Sequence, residues 1–107
     1  MADDVLLAIS TFPDAATATR IARELVTAKL AACANVGVPV HSIYRWEGKI
    51  EEAEEIVVLF KTTNARWEEF QTMLRSLHPY DVPEIIAVPV VGGLPEYLDW
   101  VAAECAG

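Results

Sequence analysis

HSIYRWEGKIEEAEEIVVLFK, residues 41–61, holds two extended-looking runs on either side of Glu47-Gly48. The run up to Trp46 is rich in β-branched and aromatic residues, and IVVLFK at its other end reads plainly as strand. A glycine at the junction supplies positive φ, so Glu47-Gly48 predicts a tight turn with Lys49 to Lys61 returning antiparallel. EEAEE, residues 51–55, has helical propensity. It lies between a turn and a strand with no room for a helix, so tertiary context wins.

Upstream, the first arm extends back through AACANVGVPV to residue 31, where Gly37 and Pro39 predict a bend in a long strand. VLLAISTF, residues 5–12, reads as a buried strand ended by Pro13-Asp14, with Asp14 as the cap of a helix through Ala15 to Leu30. Ala18, Ile21, Ala22, Leu25 and Ala28 form its apolar stripe. Downstream, Asn64 is the expected cap of a second helix, on which Trp67, Phe70, Leu74 and Leu77 share one face. Pro79 biases His78 out of helical geometry. Glu84 to Val91 predicts the last strand, with Pro83 at its start and Pro89 at an edge. Gly92-Gly93 then leads to a helix opened by Pro95, with Leu98, Val101, Ala102 and Cys105 on one face.

The order β-α-β-β-α-β-α predicts an α+β ferredoxin-like fold. It has an antiparallel sheet, helices on one face and an added C-terminal helix. At 107 residues, one domain spanning 1–107 is expected. Each hairpin arm exceeds ten residues, against a usual five or six, so the hairpin overreaches a four-stranded sheet. Ile43, Tyr44 and Trp46 near its tip then need a partner, and closed self-association is the simplest source of one. Folding the hairpin back onto its own sheet is the alternative.

Formal net charge is −8, and the eight Lys and Arg are scattered, which speaks against nucleic acid as partner. Apolar residues make up 53% of the chain, yet Pro89 and the glycines at 92 and 93 break the longest apolar run well short of a membrane span. MADDV at the N-terminus is acidic where a secretory leader is basic, so a cytoplasmic location is expected. Cys33 and Cys105 have neither zinc nor disulfide-scaffold spacing, and the reading is two reduced thiols.

SIYRWEGKIEE, then HPYDVPEI about thirty residues on, then YLDW, resemble the CutA family, the divalent-ion tolerance proteins. TFPD, KLAACANV and VLFKTT extend the resemblance almost end to end. It implies a homotrimer assembled through its sheets, similar in architecture to PII signalling proteins, with a cleft between subunits. It also implies a role in divalent metal, especially copper, tolerance, with no reaction assigned. Some members carry a cysteine just before the T-x-P-D turn and a second histidine before HPY. Ser10 and Leu77 stand there in this chain, which removes two donors for copper.

LHPYDVPEI, residues 77–85, is the richest joint for chemistry. Pro79 and Pro83 stiffen it, so His78, Tyr80 and Glu84 are expected to form one preorganised wall of the cleft. Lys61, with Trp46 and Glu47 of a neighbouring chain, is expected opposite. His78 is the candidate metal ligand, since imidazole suits Cu(II), with oxygen donors completing a weak site and no tightly bound cofactor. A plain structural role for His78 at the helix end is equally natural. The acids at 51, 52, 54 and 55 read mainly as a solvated face, and His41 as a structural histidine. No P-loop, GxSxG, HExxH or GxGxxG occurs. A non-enzymatic trimer binding a metal ion or small ligand is the leading reading. The competing ones are a cleft enzyme using His78 and Glu84, and a PII-like interaction trimer.

Overall fold

The computed structural model describes residues 4–107. Its elements are β1 (Val5–Phe12), α1 (Ala15–Thr27), β2 (Cys33–Trp46), β3 (Lys49–Thr63), α2 (Trp67–Leu77), β4 (Ile86–Pro89) and α3 (Pro95–Cys105). A 3-10 turn at Asn64–Arg66 precedes α2. The strands form one sheet in the order β2-β3-β1-β4, every neighbouring pair antiparallel. This is the α+β ferredoxin-like arrangement expected, with α3 as the addition.

Alternation along the strands divides the sheet's side chains between two faces. Ala8 and Phe12 of β1, with Ile56, Val58 and Phe60 of β3, pack against Ile21, Ala22 and Leu25 of α1 and Phe70 and Leu74 of α2. Phe60 meets Phe70 edge-on at 5.1 Å between ring centroids. The intervening residues Leu7, Ile9, Val57 and Leu59 are only half-buried, and Ile86 and Val88 of β4 are exposed. Most of that open face is apolar and is covered by neither α1 nor α2; α3 packs only on its Val5 end. A smaller cluster of Val5, Ala32, Val101 and Cys105 anchors α3 at one end of the sheet. Cys33 and Cys105 are free thiols.

Several boundaries differ from the sequence reading: β2 begins at Cys33 rather than at residue 31, and β3 runs on to Thr63 rather than Lys61. Helix α1 stops at Thr27, short of Leu30, because Lys29 takes φ 62° while its N–H bonds the Val26 carbonyl and that of Leu30 bonds the Leu25 carbonyl. That pair of bonds satisfies the last carbonyls and turns the chain into β2. Asn64 does not cap α2 with its side chain: it opens the 3-10 turn, and its backbone N–H is held by the Asp4 carbonyl at 2.9 Å. Strand β4 is four residues, not eight: it begins three residues after Pro83 and ends on Pro89, which has no N–H to donate.

Phe12 pairs with Ile56 as the last rung between β1 and β3, yet β3 begins at Lys49. The hairpin therefore projects seven residues, roughly 24 Å at 3.4 Å per residue, past the rest of the sheet. The molecule is accordingly elongated, 45 × 25 × 23 Å. Glu47 and Gly48 have φ of 50° and 80°, between the paired residues Trp46 and Lys49. Positive φ at both central positions is the turn that suits a two-residue hairpin, since its twist matches that of the strands.

Candidate functional site

The site is built by an irregularity in β2. Val36 pairs with Val58 and Pro39 with Ile56, so Gly37 and Val38 together oppose Val57 alone. This bulge reverses the alternation of everything beyond it. Cys33 and Asn35 share the open face with Lys61 and Leu59, whereas beyond the bulge it is Val40, Ser42, Tyr44 and Trp46 that share a face with Glu55. Glycine at 37 is required by the close approach. A Cβ there would sit 2.9 Å from the Val57 carbonyl oxygen, a contact with rigid backbone.

The segment after α2 comes up against that face. Helix α2 ends with His78 at φ −72°, ψ 136°, extended geometry fitting a residue before proline. Between this joint and the hairpin lies a cavity of about 770 Å³, with Tyr44, Trp46, Glu55, Tyr80 and Glu84 among its walls. Asp81 also contributes to the lining, and no Lys, Arg or His does.

Tyr80 ties the two walls together. Its hydroxyl donates to Glu55 Oε2 at 2.7 Å. Desolvation, and then the bonded Glu55, push the phenol well above its ordinary range, so it stays a proton donor. Glu55 is nearly buried, at 9% exposure, and this bond is what satisfies it. Glu84 is exposed on its outer side. Partial desolvation first, and the Glu55 charge second, hold its carboxyl above the usual range.

His78 lies behind the cavity wall. It is 8% exposed and stacks on Phe12 at 4.7 Å and 19°. Its Nε2–H donates to the Thr11 carbonyl at 2.8 Å, and its Nδ1 accepts the Tyr80 backbone N–H at 3.1 Å. Both nitrogens are thus engaged, and a neutral ring tautomer satisfies both bonds. Burial lowers its pKa, an effect that outweighs the Thr11 bond and the Glu55 charge, both of which raise it. In this arrangement the ring has no lone pair to offer a metal. Its visible work is to pin the joint to β1 and set the position of Tyr80.

Trp46, expected from a neighbouring chain, instead lines a cavity of its own chain together with Tyr80 and Glu84, and His78 lies behind them. Glu47 is held in the hairpin turn and Lys61 bonds Asn35 on the open face, so within one chain neither lines the cavity. Ser10 and Leu77 belong to the helix-covered side: Ser10 pairs with the core residue Val58, and Leu77 packs on the main core. Glu55, read from sequence as part of a solvated face, is buried on Tyr80, and Tyr44, read only as a tip residue needing a partner, lines the cavity. The signal for Tyr44 was its i, i+2 relation to Trp46, which puts both on one face wherever the bulge aims them. Among the described residues no group of three His, Cys, Asp or Glu is arranged to hold a metal ion. His41 bonds Glu52 through Nε2 at 2.6 Å and stands 3.8 Å from Glu54 through Nδ1, an exposed arrangement on opposite edges of the ring that does not chelate.

Residues 6–104 match the family described as CutA1 divalent ion tolerance protein. The divalent-cation tolerance protein CutA of Thermus thermophilus is 44% identical over 91 residues, which cover 85% of this chain and 88% of the relative. The crystal structure of CutA from Xylella fastidiosa superimposes with a TM-score of 0.93 at 48% identity, covering 96% of this chain and 99% of that one. The Archaeoglobus fulgidus structure, described as a periplasmic divalent cation tolerance protein CutA, gives 0.91 at 37% identity and covers 95% and 99%. No helix among the described residues is long and apolar enough to cross a membrane.

Proposed function

The chain belongs to the CutA1 divalent ion tolerance protein family, and from that premise we propose that it acts in metal tolerance as a non-catalytic homotrimer binding a cationic ligand in the cleft beside its hairpin. The observation that carries this reading is the cavity between hairpin and joint, walled by Glu55, Asp81 and Glu84 with no basic side chain. Carboxylates gathered in a concave, partly desolvated wall attract positive charge. The open sheet face and the exposed apolar residues of the projecting hairpin supply surface for assembly through sheets. In such a trimer a neighbour's hairpin tip, with its Glu47, comes beside the cleft, while Lys61 stays bonded to Asn35 on the open face.

A divalent ion entering the cleft meets carboxylate oxygens and water. With the imidazole of His78 engaged on both sides, copper has no nitrogen donor there and loses the advantage that imidazole gives it over harder ions. Affinity in the range of about 0.1–1 mM is expected, as for other weak oxygen-ligand sites. Calorimetric titration with Mn(II) and Cu(II) tests this on wild type, Glu84→Gln and Glu54→Gln. Binding that weakens in Glu84→Gln and survives in Glu54→Gln supports the cleft. Binding unaffected by both changes moves the site elsewhere.

A further inference from the structure

The cleft's walls are as aromatic as they are acidic, and the two features together narrow the kind of cation that suits it. Resting on the reading of the cleft as a cation site, we propose that its preferred ligand is an organic ammonium ion. Its charged head lies against Glu84 and Glu55, and its carbon skeleton lies across the rings of Tyr44, Trp46 and Tyr80.

A hard divalent ion gives up hydration only for six to eight well-placed oxygens, or keeps its waters and binds weakly through one or two carboxylates. No group of three His, Cys, Asp or Glu able to hold a metal occurs among the described residues. Aromatic faces offer little to a hydrated metal. They do attract an alkylammonium, through the ring quadrupole and by covering its CH₂ groups. At about 770 Å³ the cavity falls within the range that takes small organic ligands and far exceeds what one ion needs.

The walls are also held ready. Tyr80 is fixed at both ends, its backbone N–H on His78 Nδ1 and its hydroxyl on Glu55 Oε2, so its ring faces the cavity without needing to be ordered by the ligand. With Tyr80 on Oε2, Glu55 retains Oε1 for an N–H donor. Tyr44 and Trp46 line the cavity opposite Glu84, so their rings are what a carbon skeleton seated there meets. The bulge at Gly37 and Val38 matters here: with regular pairing Tyr44 and Trp46 would point to the opposite face.

The test is titration of the assembled 107-residue chain with n-butylammonium chloride, with n-butanol, potassium chloride and Mn(II) in parallel. The readouts are calorimetry and the NMR shifts of the Trp46 indole N–H and the Glu84 amide. The expected result is saturable butylammonium binding that shifts both signals, with butanol and potassium producing neither change. Glu84→Gln weakens it about tenfold or more, the size of one lost charge-assisted hydrogen bond. Trp46→Ala weakens it about two- to fivefold, Glu54→Gln leaves it unchanged, and thermal unfolding verifies that each variant is folded. Butanol binding as well as butylammonium would overturn the proposal by showing a merely apolar pocket. Mn(II) binding that depends on Glu84, without butylammonium binding, would overturn it while leaving the cation cleft in place. If neither cation binds, the cleft reading falls as well.

Discussion

At the helical end of the molecule Phe12, Phe60, Phe70, Ile21 and Leu25 are completely buried, whereas on the projecting hairpin Ile43 and Ile50 remain 65% and 59% exposed. The residue types are alike and their surroundings differ. At the helical end two helices cover the sheet. On the hairpin, β2 and β3 have only each other, and two strands alone are marginally stable in water. The contrast teaches that local patterning forms both regions, but only one is completed by its own chain. The acidic, aromatic cleft lies where they meet, between the unsupported arm and the proline-stiffened joint.

The largest effect that can break this comparison is a truncation made in each region. Phe60→Ala is expected to cost about 3–5 kcal/mol in urea unfolding, the usual range for a large aromatic in a packed core. Ile43→Ala is expected to change the intrinsic stability of a dissociated chain by no more than about 0.5 kcal/mol, as at other exposed sites, and to act through assembly instead. Equal costs under dissociating conditions would show that the arm is completed within one chain.

A second prediction uses pH to probe the joint between the regions. The pKa of His78 is lowered on folding, so the unfolded chain binds its proton first. Its contribution to stability is fully present above the ordinary histidine value of about 6.5 and is lost as pH falls through and below it. Glu84 has the opposite sign: its raised pKa makes the folded state take up a proton first, so acidification through that range relieves a cost. An NMR titration of the His78 ring should place its midpoint below the ordinary histidine value of about 6.5. A midpoint above it would mean that burial is not the dominant influence and would reopen His78 to charge and ligand roles.

The smallest effect concerns the tip. Glu47 adopts φ 50°, a conformation that asparagine tolerates better than glutamate. Glu47→Asn is expected to raise stability by about 0.5 kcal/mol or less, seen as a small rise in Tm. A loss would indicate that Glu47 makes a contact with a neighbouring subunit that outweighs its backbone strain.

Much of this architecture is legible in the residues themselves. Glu47-Gly48 marks the hairpin turn, the 3- and 4-residue spacings mark α1 and α2, and Pro79 marks where α2 must stop. What is not legible depends on distant partners. Gly37 and Pro39 announce a bend, but the direction in which Tyr44 and Trp46 emerge depends on two residues opposing Val57 alone, a matter of register. Among four neighbouring glutamates, only contact with Tyr80, 25 residues away, distinguishes Glu55. His78 reads as a ligand beside other functional groups until the Thr11 carbonyl, 67 residues distant, occupies one nitrogen and the joint's own turn the other. Lys61 reads as a cleft residue from its place at the end of IVVLFK. The pairing of β2 with β3 puts it beside Asn35 instead.

The measurement that bears most directly on the account is the solution mass. An apolar arm and an open sheet face left uncovered by their own chain require a partner, and the architecture proposed supplies it by threefold self-association. Light scattering at micromolar concentration should give three times the 11.7 kDa chain mass, and this should persist on dilution. A mass of one chain under those conditions would contradict it, because the hairpin would then be stable while exposed and the cleft would have no neighbour to complete it.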